Sequence, residues 1–286
     1  MPEMRSGLYL DHVLIAVHDL SAAAAAYTAL GFKVTPEGRH PGRGTHNRLM
    51  AFGPEYLELI AVHDRRARPF RPSMDRFLSS GEGLYMFALG TGDITAASDA
   101  IRARGSDVGD PVPGRRDAGE SPGYTWRSAD LGRVLPGSEC FLIQHDHSIT
   151  ERYTQPPQPL VHPNRVSGIS HLTLAVRDSA AAARAWHAVL GVRFAPPEPR
   201  EGALRYRLAL GNCFLDLESP TGRGALSEFL ATRGEGPFEL GLRTVDFEAA
   251  TTTRGLSGSV VETPEGRSVE IGCSLAAGAR LRLVEG

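Results

Sequence analysis

The chain repeats itself, and that repetition limits what it can fold into. LDHVLIAVHDL at 10–20 recurs in type as ISHLTLAVRDS at 169–179, and alanine-rich amphipathic stretches follow, SAAAAAYTALGF and SAAAARAWHAVLGV. NRLMAFGPEYLEL at 47–59 aligns without a gap on RYRLALGNCFLDL at 205–217. FLSSGEGLYMFALGTGD at 77–93 matches FLATRGEGPFELGLRTVD at 229–246, with one extra residue before the GEG. His12 stands 46 residues before Glu58 and His171 stands 45 before Asp216. Matched blocks in the same order at the same spacing define a duplicated chain.

Each half also repeats internally. In the first quarter a strand at 9–17 leads to a helix over about 20–30, with Asp19 or Ser21 as N-cap and Gly31 at its C-terminal end. Strands near 32–36, 45–52 and 55–62 follow, with Gly53-Pro54 as hairpin punctuation. The second quarter starts at 84–90, enters a helix from Asp93 to about Gly105 and closes at 138–145. The pattern predicts an α+β chain of four βαβββ modules, forming two cupped mixed-sheet domains with helices on their outer faces. The boundaries are 8–147 and 168–286, joined by a proline-rich linker at 148–167, and 106–124 reads as a loop over a pocket rim.

Composition narrows the function classes. With 31 basic against 33 acidic residues there is no electrostatic footprint for nucleic acid or an anionic membrane. No apolar run reaches the ~20 residues that span a bilayer, and Met1–Gly7 has no apolar core of a leader. Cys140, Cys213 and Cys273 are scattered and lack CxxC spacing, so they read as buried small hydrophobes in a cytoplasmic protein. The expected partner is a small molecule, with the chain a monomer or homodimer.

Alternation across the first strand puts Leu10, His12, Leu14 and Ala16 on one face and β-branched Val13, Ile15 and Val17 on the other. The second set suits packing under a helix, which leaves His12 facing the cup. In YLELI, Tyr56, Glu58 and Ile60 share a face; a carboxylate among apolar neighbours is costly to bury unless paired or metal-bound. If the turn at Gly53-Pro54 holds an even number of residues, Glu58 stands across from Leu49, Asn47 shares the cup face and His46 points away; an odd turn or a bulge exchanges the two. His145 and His147 reach the rim or solvent.

The module pattern resembles the vicinal oxygen chelate superfamily, which includes glyoxalase I, extradiol dioxygenases, methylmalonyl epimerases and bleomycin-resistance proteins. LDHVLIAVHDL, GRGTHNRLMAFGPEYLELIAV and GEGLYMFALGTGD resemble its glyoxalase-like branch. The resemblance implies a divalent ion (Zn, Ni, Mn, Fe or Co) on His12 and Glu58, with Glu58 also the candidate base. Its remaining two ligand positions fall here on Met86 and Gln144, poor donors both, so the alternative is no cofactor at all. His46, Asn47, Tyr56, Met86 and Gln144 are the candidate ligand contacts. In the second half the corresponding positions are His171, Asp216, Glu239 and Arg282. A guanidinium there neutralises an acid and repels a cation, which favours a salt-bridged core or an anion pocket over a ring-cleaving dioxygenase site. The expected function is a metal-dependent lyase or isomerase acting on a small oxygenated substrate in the first cup; the alternative is metal-free sequestration of a small molecule.

Overall fold

The computed structural model describes residues 7–67, 72–118, 121–132, 134–135, 139–147, 161–211, 213–252, 256–263 and 266–286. Residues 148–160 of the linker and residues 1–6 lie outside them. The first half runs β1 (Tyr9–Ala16), α1 (Leu20–Ala29), β2 (Gly38–His40), β3 (Thr45–Ala51), β4 (Tyr56–Val62), α2 (Pro72–Ser79), β5 (Gly83–Gly90), α3 (Ile94–Arg102), β6 (Val112–Ala118), β7 (Ser121–Asp130) and β8 (Cys140–His145). The second runs β9 (Val166–Ala175), α4 (Ser179–Leu190), β10 (Glu198–Arg200), β11 (Ala203–Leu210), β12 (Cys213–Pro220), α5 (Ala225–Thr232), β13 (Gly236–Thr244), α6 (Phe247–Thr251), β14 (Leu256–Thr263), β15 (Gly266–Ile271) and β16 (Leu281–Glu285).

The four modules start alike. An aspartate follows each opening strand, and its carboxylate accepts backbone N–H groups of the first helical turn: Asp19 from Ser21 and Ala22, Asp93 from Ala96, Asp178 from Ala181 and Asp246 from Ala249. α1 and α4 are followed by Gly31 and Gly191 with φ of 81° and 70°, backbone that an L side chain rarely adopts.

The first half closes into a barrel, ordered β1-β4-β3-β2-β6-β7-β8-β5, and the second forms an open eight-stranded sheet, β10-β11-β12-β9-β13-β16-β15-β14. Closure comes from β2 and β6, paired through Arg39 and Asp117. Two expectations fail here. The second strand lies at 38–40, not 32–36, and most of the presumed loop 106–124 is the β6–β7 hairpin. Its Gly and Pro residues hide the alternation of a strand pair.

The outer faces of both sheets and α1, α3 and α4 share one apolar core. Trp186, fully buried on α4, stacks on Phe87 of β5 at 6.2 Å and 11°, joining the halves. The linker's end is anchored as well: Lys33 N–H donates to His162 Nδ1, and His162 Nε2 donates to the Ala51 carbonyl, both at 2.9 Å. Cys140 and Cys213 are buried as expected, whereas Cys273 is exposed, in a short 3-10 turn.

Inside the barrel, Leu14, Ala16, Ile60, Met86, Ala88, Phe141 and Ile143 form a separate apolar cluster, into which α2 inserts Met74 and Leu78. An eight-stranded barrel has room for packed side chains or one small ligand, and α2 occupies part of that room. Two irregularities decide which residues face inward. β1 pairs Leu10 with Leu89 and then His12 with Ala88, so Asp11 is an extra residue; β5 carries Tyr85 as a second one between Met86 and Leu84. The first bulge turns Leu10 to the helix side, in the outer core, contrary to simple alternation.

Candidate active site in the first barrel

A pocket of about 600 Å3, its mouth included, opens in the barrel. His12 from β1 and Glu58 from β4 meet there: His12 Nε2 stands 3.5 Å from Glu58 Oε2, both residues almost wholly buried. The parallel pairing of β1 and β4 sets this up, with His12 beside Tyr56 and Leu14 beside Glu58. Tyr56 stacks on the His12 ring at 4.4 Å and Phe141 packs edge-on at 5.6 Å, so the ring has little freedom to turn.

Asp11 completes the arrangement. It is fully buried, and its Oδ1 accepts from His12 Nδ1 at 2.6 Å and from His145 Nε2 at 3.1 Å. Burial alone raises a carboxyl's pKa; here the two imidazole hydrogen bonds outweigh it and hold Asp11 well below the usual carboxylate range. Asp11 Oδ2 has no hydrogen-bond partner among the described residues. With Nδ1–H committed to Asp11, the His12 nitrogen toward Glu58 is Nε2. The bulge makes this possible, because in an unbroken strand Asp11 points away from His12.

Glu58 is anchored from the other side. The β3–β4 register places Leu49 opposite Glu58, so the even-turn alternative holds and Asn47 faces the cup. Asn47 Nδ2 donates to Glu58 Oε1 at 2.8 Å and to His40 Nε2 at 3.3 Å, and its Oδ1 accepts from Arg116 Nε at 2.7 Å. His40 Nδ1 donates to Thr45 Oγ1 at 2.8 Å. Burial and the nearby Arg116 and Arg43 guanidiniums push His40 down to about 3, so it is neutral and its Nε2 an acceptor. His46 points away, toward Glu37 at 3.1 Å.

Arg116, Tyr124 and Trp126 of the β6–β7 hairpin form the remaining wall. Simple periodicity misses them because their segment reads as a loop. A usable trace lies in two glycines: a Cβ on Gly38 collides with the Arg116 guanidinium, and one on Gly114 with the Trp126 indole. Those absent side chains are the space the two residues fill.

Met86 keeps the place of His12 in the second module: the bulges at Asp11 and Tyr85 correspond, as do the strand-end bonds from Val17 N–H to the Ile60 carbonyl and from Thr91 N–H to the Ile143 carbonyl. By the same correspondence the place of Glu58 falls to Phe141 and not to Gln144. Met86 lies beside Leu14, among the apolar side chains under α2. Gln144 has the outward parity; it accepts from the backbone N–H of Ile94 and donates to the Gly92 carbonyl, bracing the start of α3. His147 Nε2 lies 3.3 Å from Thr125 Oγ1.

This bears directly on a divalent ion. His12 Nε2 and Glu58 Oε2 are spaced as two ligands of a tetrahedral ion with bonds of about 2.1 Å. Of the corresponding positions in the second module, Met86 offers only a thioether and Phe141 no donor, and His40 Nε2 is engaged by Asn47. Among the described residues no set of three His, Cys, Asp or Glu side chains converges on a metal position. The donors therefore fall short of the three protein ligands usual for a catalytic ion, and the residues present do not make such a site.

In the second sheet, charge is neutralised in place. Arg207, directly across the β11–β12 hairpin, holds Asp216 with a bidentate pair at 2.7 and 2.6 Å. Arg282 donates to both oxygens of Glu239 at 3.2 Å, and with His171 Nε2 3.7 Å away it overcomes burial to hold Glu239 at about 2. Of the two acids open to it Arg282 meets Glu239, while Asp216 is met by Arg207 and, at 3.6 Å, by Arg205.

A mixed barrel and a matching open sheet built from four βαβββ modules, with a cup between strands of paired modules, define the vicinal oxygen chelate fold. Within it the chain belongs to the glyoxalase-like domain family, whose model matches residues 10–190. Among solved structures, a hypothetical protein from Staphylococcus aureus superposes with a TM-score of 0.69 at 14% identity, covering 98% of this chain and 100% of that one. A mutant of 4-hydroxymandelate synthase from Streptomyces coelicolor gives 0.68 at 13%, covering 98% and 93%. Methylmalonyl-CoA epimerase from Mycobacterium tuberculosis is 25% identical over 42% of this chain and 89% of its own, with a TM-score of 0.39. No curated protein matches. Among the described residues, no helix is long and apolar enough to cross a membrane.

Proposed function

We propose that the first barrel is an acid–base site for proton transfer on a small oxygenated substrate, an isomerase or lyase reaction. One observation carries this reading: the His12 imidazole lies between two buried carboxylates, Asp11 at 2.6 Å and Glu58 at 3.5 Å, on the wall of the barrel pocket. Glu58, fixed by Asn47, takes the proton from a carbon next to a carbonyl. The C–H electron pair moves into the carbonyl, whose oxygen takes the Nε2 proton of a doubly protonated His12 and leaves an enol and a ring with Nδ1–H on Asp11. Where the deprotonated carbon carries a hydroxyl, Glu58 returns its proton to the former carbonyl carbon while His12 Nε2 takes the hydroxyl proton, completing an isomerisation. Departure of a β-substituent with its bonding electron pair, as Nε2 takes the enol proton back, completes an elimination. Asp11 positions His12 by accepting from its Nδ1. His12 and Glu58 supply at most two donors to a divalent ion, and no step here runs through one. The scattered cysteines, without CxxC spacing, fit a reducing compartment.

A second reading, sequestration without turnover, draws support from the Tyr56, Tyr124, Trp126 and Phe141 rings on the pocket wall. Deuterium wash-in separates the two. Purified protein is incubated in D2O with a panel of small hydroxyketones and 2-oxo acids, and carbon-bound deuterium is read by NMR. Exchange above background that drops at least 100-fold in Glu58→Gln supports proton transfer. Binding of a panel member with background exchange supports sequestration and overturns the catalytic reading.

A further inference from the structure

The acid–base chamber does not end at Ile60. A second cavity, about 480 Å3 with its opening to solvent included, shares Leu14, Ile60 and Arg43 with it and extends beneath α2. The two chambers differ in chemistry. The first presents His12, Glu58, Asn47 and Arg116; the inner wall of the second is Leu14, Ile60, Val62, Met74, Tyr85 and Met86. At the second chamber's rim Arg65 and Asp75 pair at 3.2 Å, tying the segment after β4 to α2. Arg43 stands where the chambers meet, its guanidinium 6.0 Å from the Trp126 ring centre and its Nη2 donating to the Pro113 carbonyl at 3.3 Å.

We propose that the ligand is an amphipathic organic acid, its carboxylate at the Arg43–Arg116 side of the first chamber and its apolar arm in the second chamber beneath α2. Two guanidiniums beside the reacting groups favour an anion over a neutral polyol. An aliphatic and thioether-lined extension is stabilised by an apolar arm rather than by water, and methionine adapts to arms of differing shape. The placement of the acid relative to His12 and Glu58 rests on the proton-transfer reading above; the existence of an apolar arm does not.

The test is a binding series without turnover. Straight-chain 2-oxo acids from 2-oxobutanoate to 2-oxodecanoate are titrated against the full chain and followed by the fluorescence of Trp126, which lines the first chamber; Trp126→Phe identifies its signal against that of buried Trp186. Affinity is expected to rise about fourfold per methylene and then level off as the second chamber fills. Met86→Phe and, separately, Met74→Phe are expected to bring the plateau to a shorter chain. Primary amides of the same chains are expected to bind at least tenfold more weakly than the acids, and Arg43→Gln to narrow that gap. A flat chain-length series in the unmodified protein overturns the apolar arm, and amides that match the acids overturn the anionic head. Both arms are read in the unmodified protein, so neither depends on a variant folding. Chain-length-dependent acid binding without deuterium exchange leaves this inference standing while the proton-transfer reading falls, and exchange with a flat series does the reverse.

Discussion

Replacing Asp11 by asparagine probes both the stability and the chemistry of the barrel. The residue is fully buried and its Oδ1 accepts two imidazole hydrogen bonds, at 2.6 and 3.1 Å. Hydrogen bonds to a charged group contribute about 1.5–3 kcal/mol each, and breaking a buried ionic pair costs about 3–5 kcal/mol. The asparagine oxygen still accepts one of them, so the expected loss is about 2–4 kcal/mol near neutral pH. The pH dependence follows from the depressed Asp11 carboxyl. Such a group stabilises the fold fully above its unfolded pKa of about 4, and the contribution disappears as pH falls from there through the folded value. The gap between the unmodified protein and Asp11→Asn is therefore constant from pH 5 to 7 as far as this group is concerned, and narrows below about pH 4. Urea unfolding followed by circular dichroism at several pH values measures it. In the deuterium assay the variant is expected to lose at least about 100-fold, because His12 is no longer held in one tautomer. A stability gap that stays unchanged from pH 7 down to pH 3, or exchange at the unmodified rate, refutes the role given to Asp11.

Three further outcomes follow from the packing. Gly38→Val fills the space of the Arg116 guanidinium and is expected to cost about 1–3 kcal/mol by overpacking and to weaken acid binding, read by thermal unfolding and by the titration above. Trp186→Ala opens a cavity where the halves meet; a loss of about 3–5 kcal/mol is expected to lower the melting of both sheets, followed by hydrogen exchange in β5 and in β9. Half-buried Glu218 is raised to about 7 by burial and by the Asp216 and Glu239 carboxylates. Because its folded pKa exceeds its unfolded one, it costs the fold stability as pH rises from about 4.5 to 7, so Glu218→Gln is expected to gain about 1–2 kcal/mol at pH 8 and nothing at pH 4.

Much of this protein is legible before folding is considered. Duplicated blocks name the modules, the four aspartates mark the helix starts, and the Gly53-Pro54 turn limits the β3–β4 register to two choices. Alternation also carries Glu58 to the cup, and the observed register then selects Asn47 over His46. It fails where the strand period is broken, since one inserted residue at Asp11 reverses the faces of Leu10 and Asp11, and it misplaces the last strand, where Phe141 and not Gln144 corresponds to Glu58. Such insertions leave no mark in composition. Arg116, Tyr124 and Trp126 were hidden for a different reason. Gly114 and Pro113 make β6 resemble a loop, yet Gly114 is needed there to seat the Trp126 indole. Arg207 was within reach, because it lies directly across a hairpin from Asp216 and a buried carboxylate requires a partner.

The central claim is that one imidazole is held between two carboxylates and exposes Nε2 to the pocket. Nitrogen-15 NMR of histidine-labelled protein tests this most directly, with His12 assigned by loss of its signals in His12→Gln. The account predicts a protonated Nδ1 whose shift moves in Asp11→Asn, and an Nε2 whose shift moves in Glu58→Gln. A His12 ring protonated only at Nε2, or ring shifts indifferent to both substitutions, contradicts it.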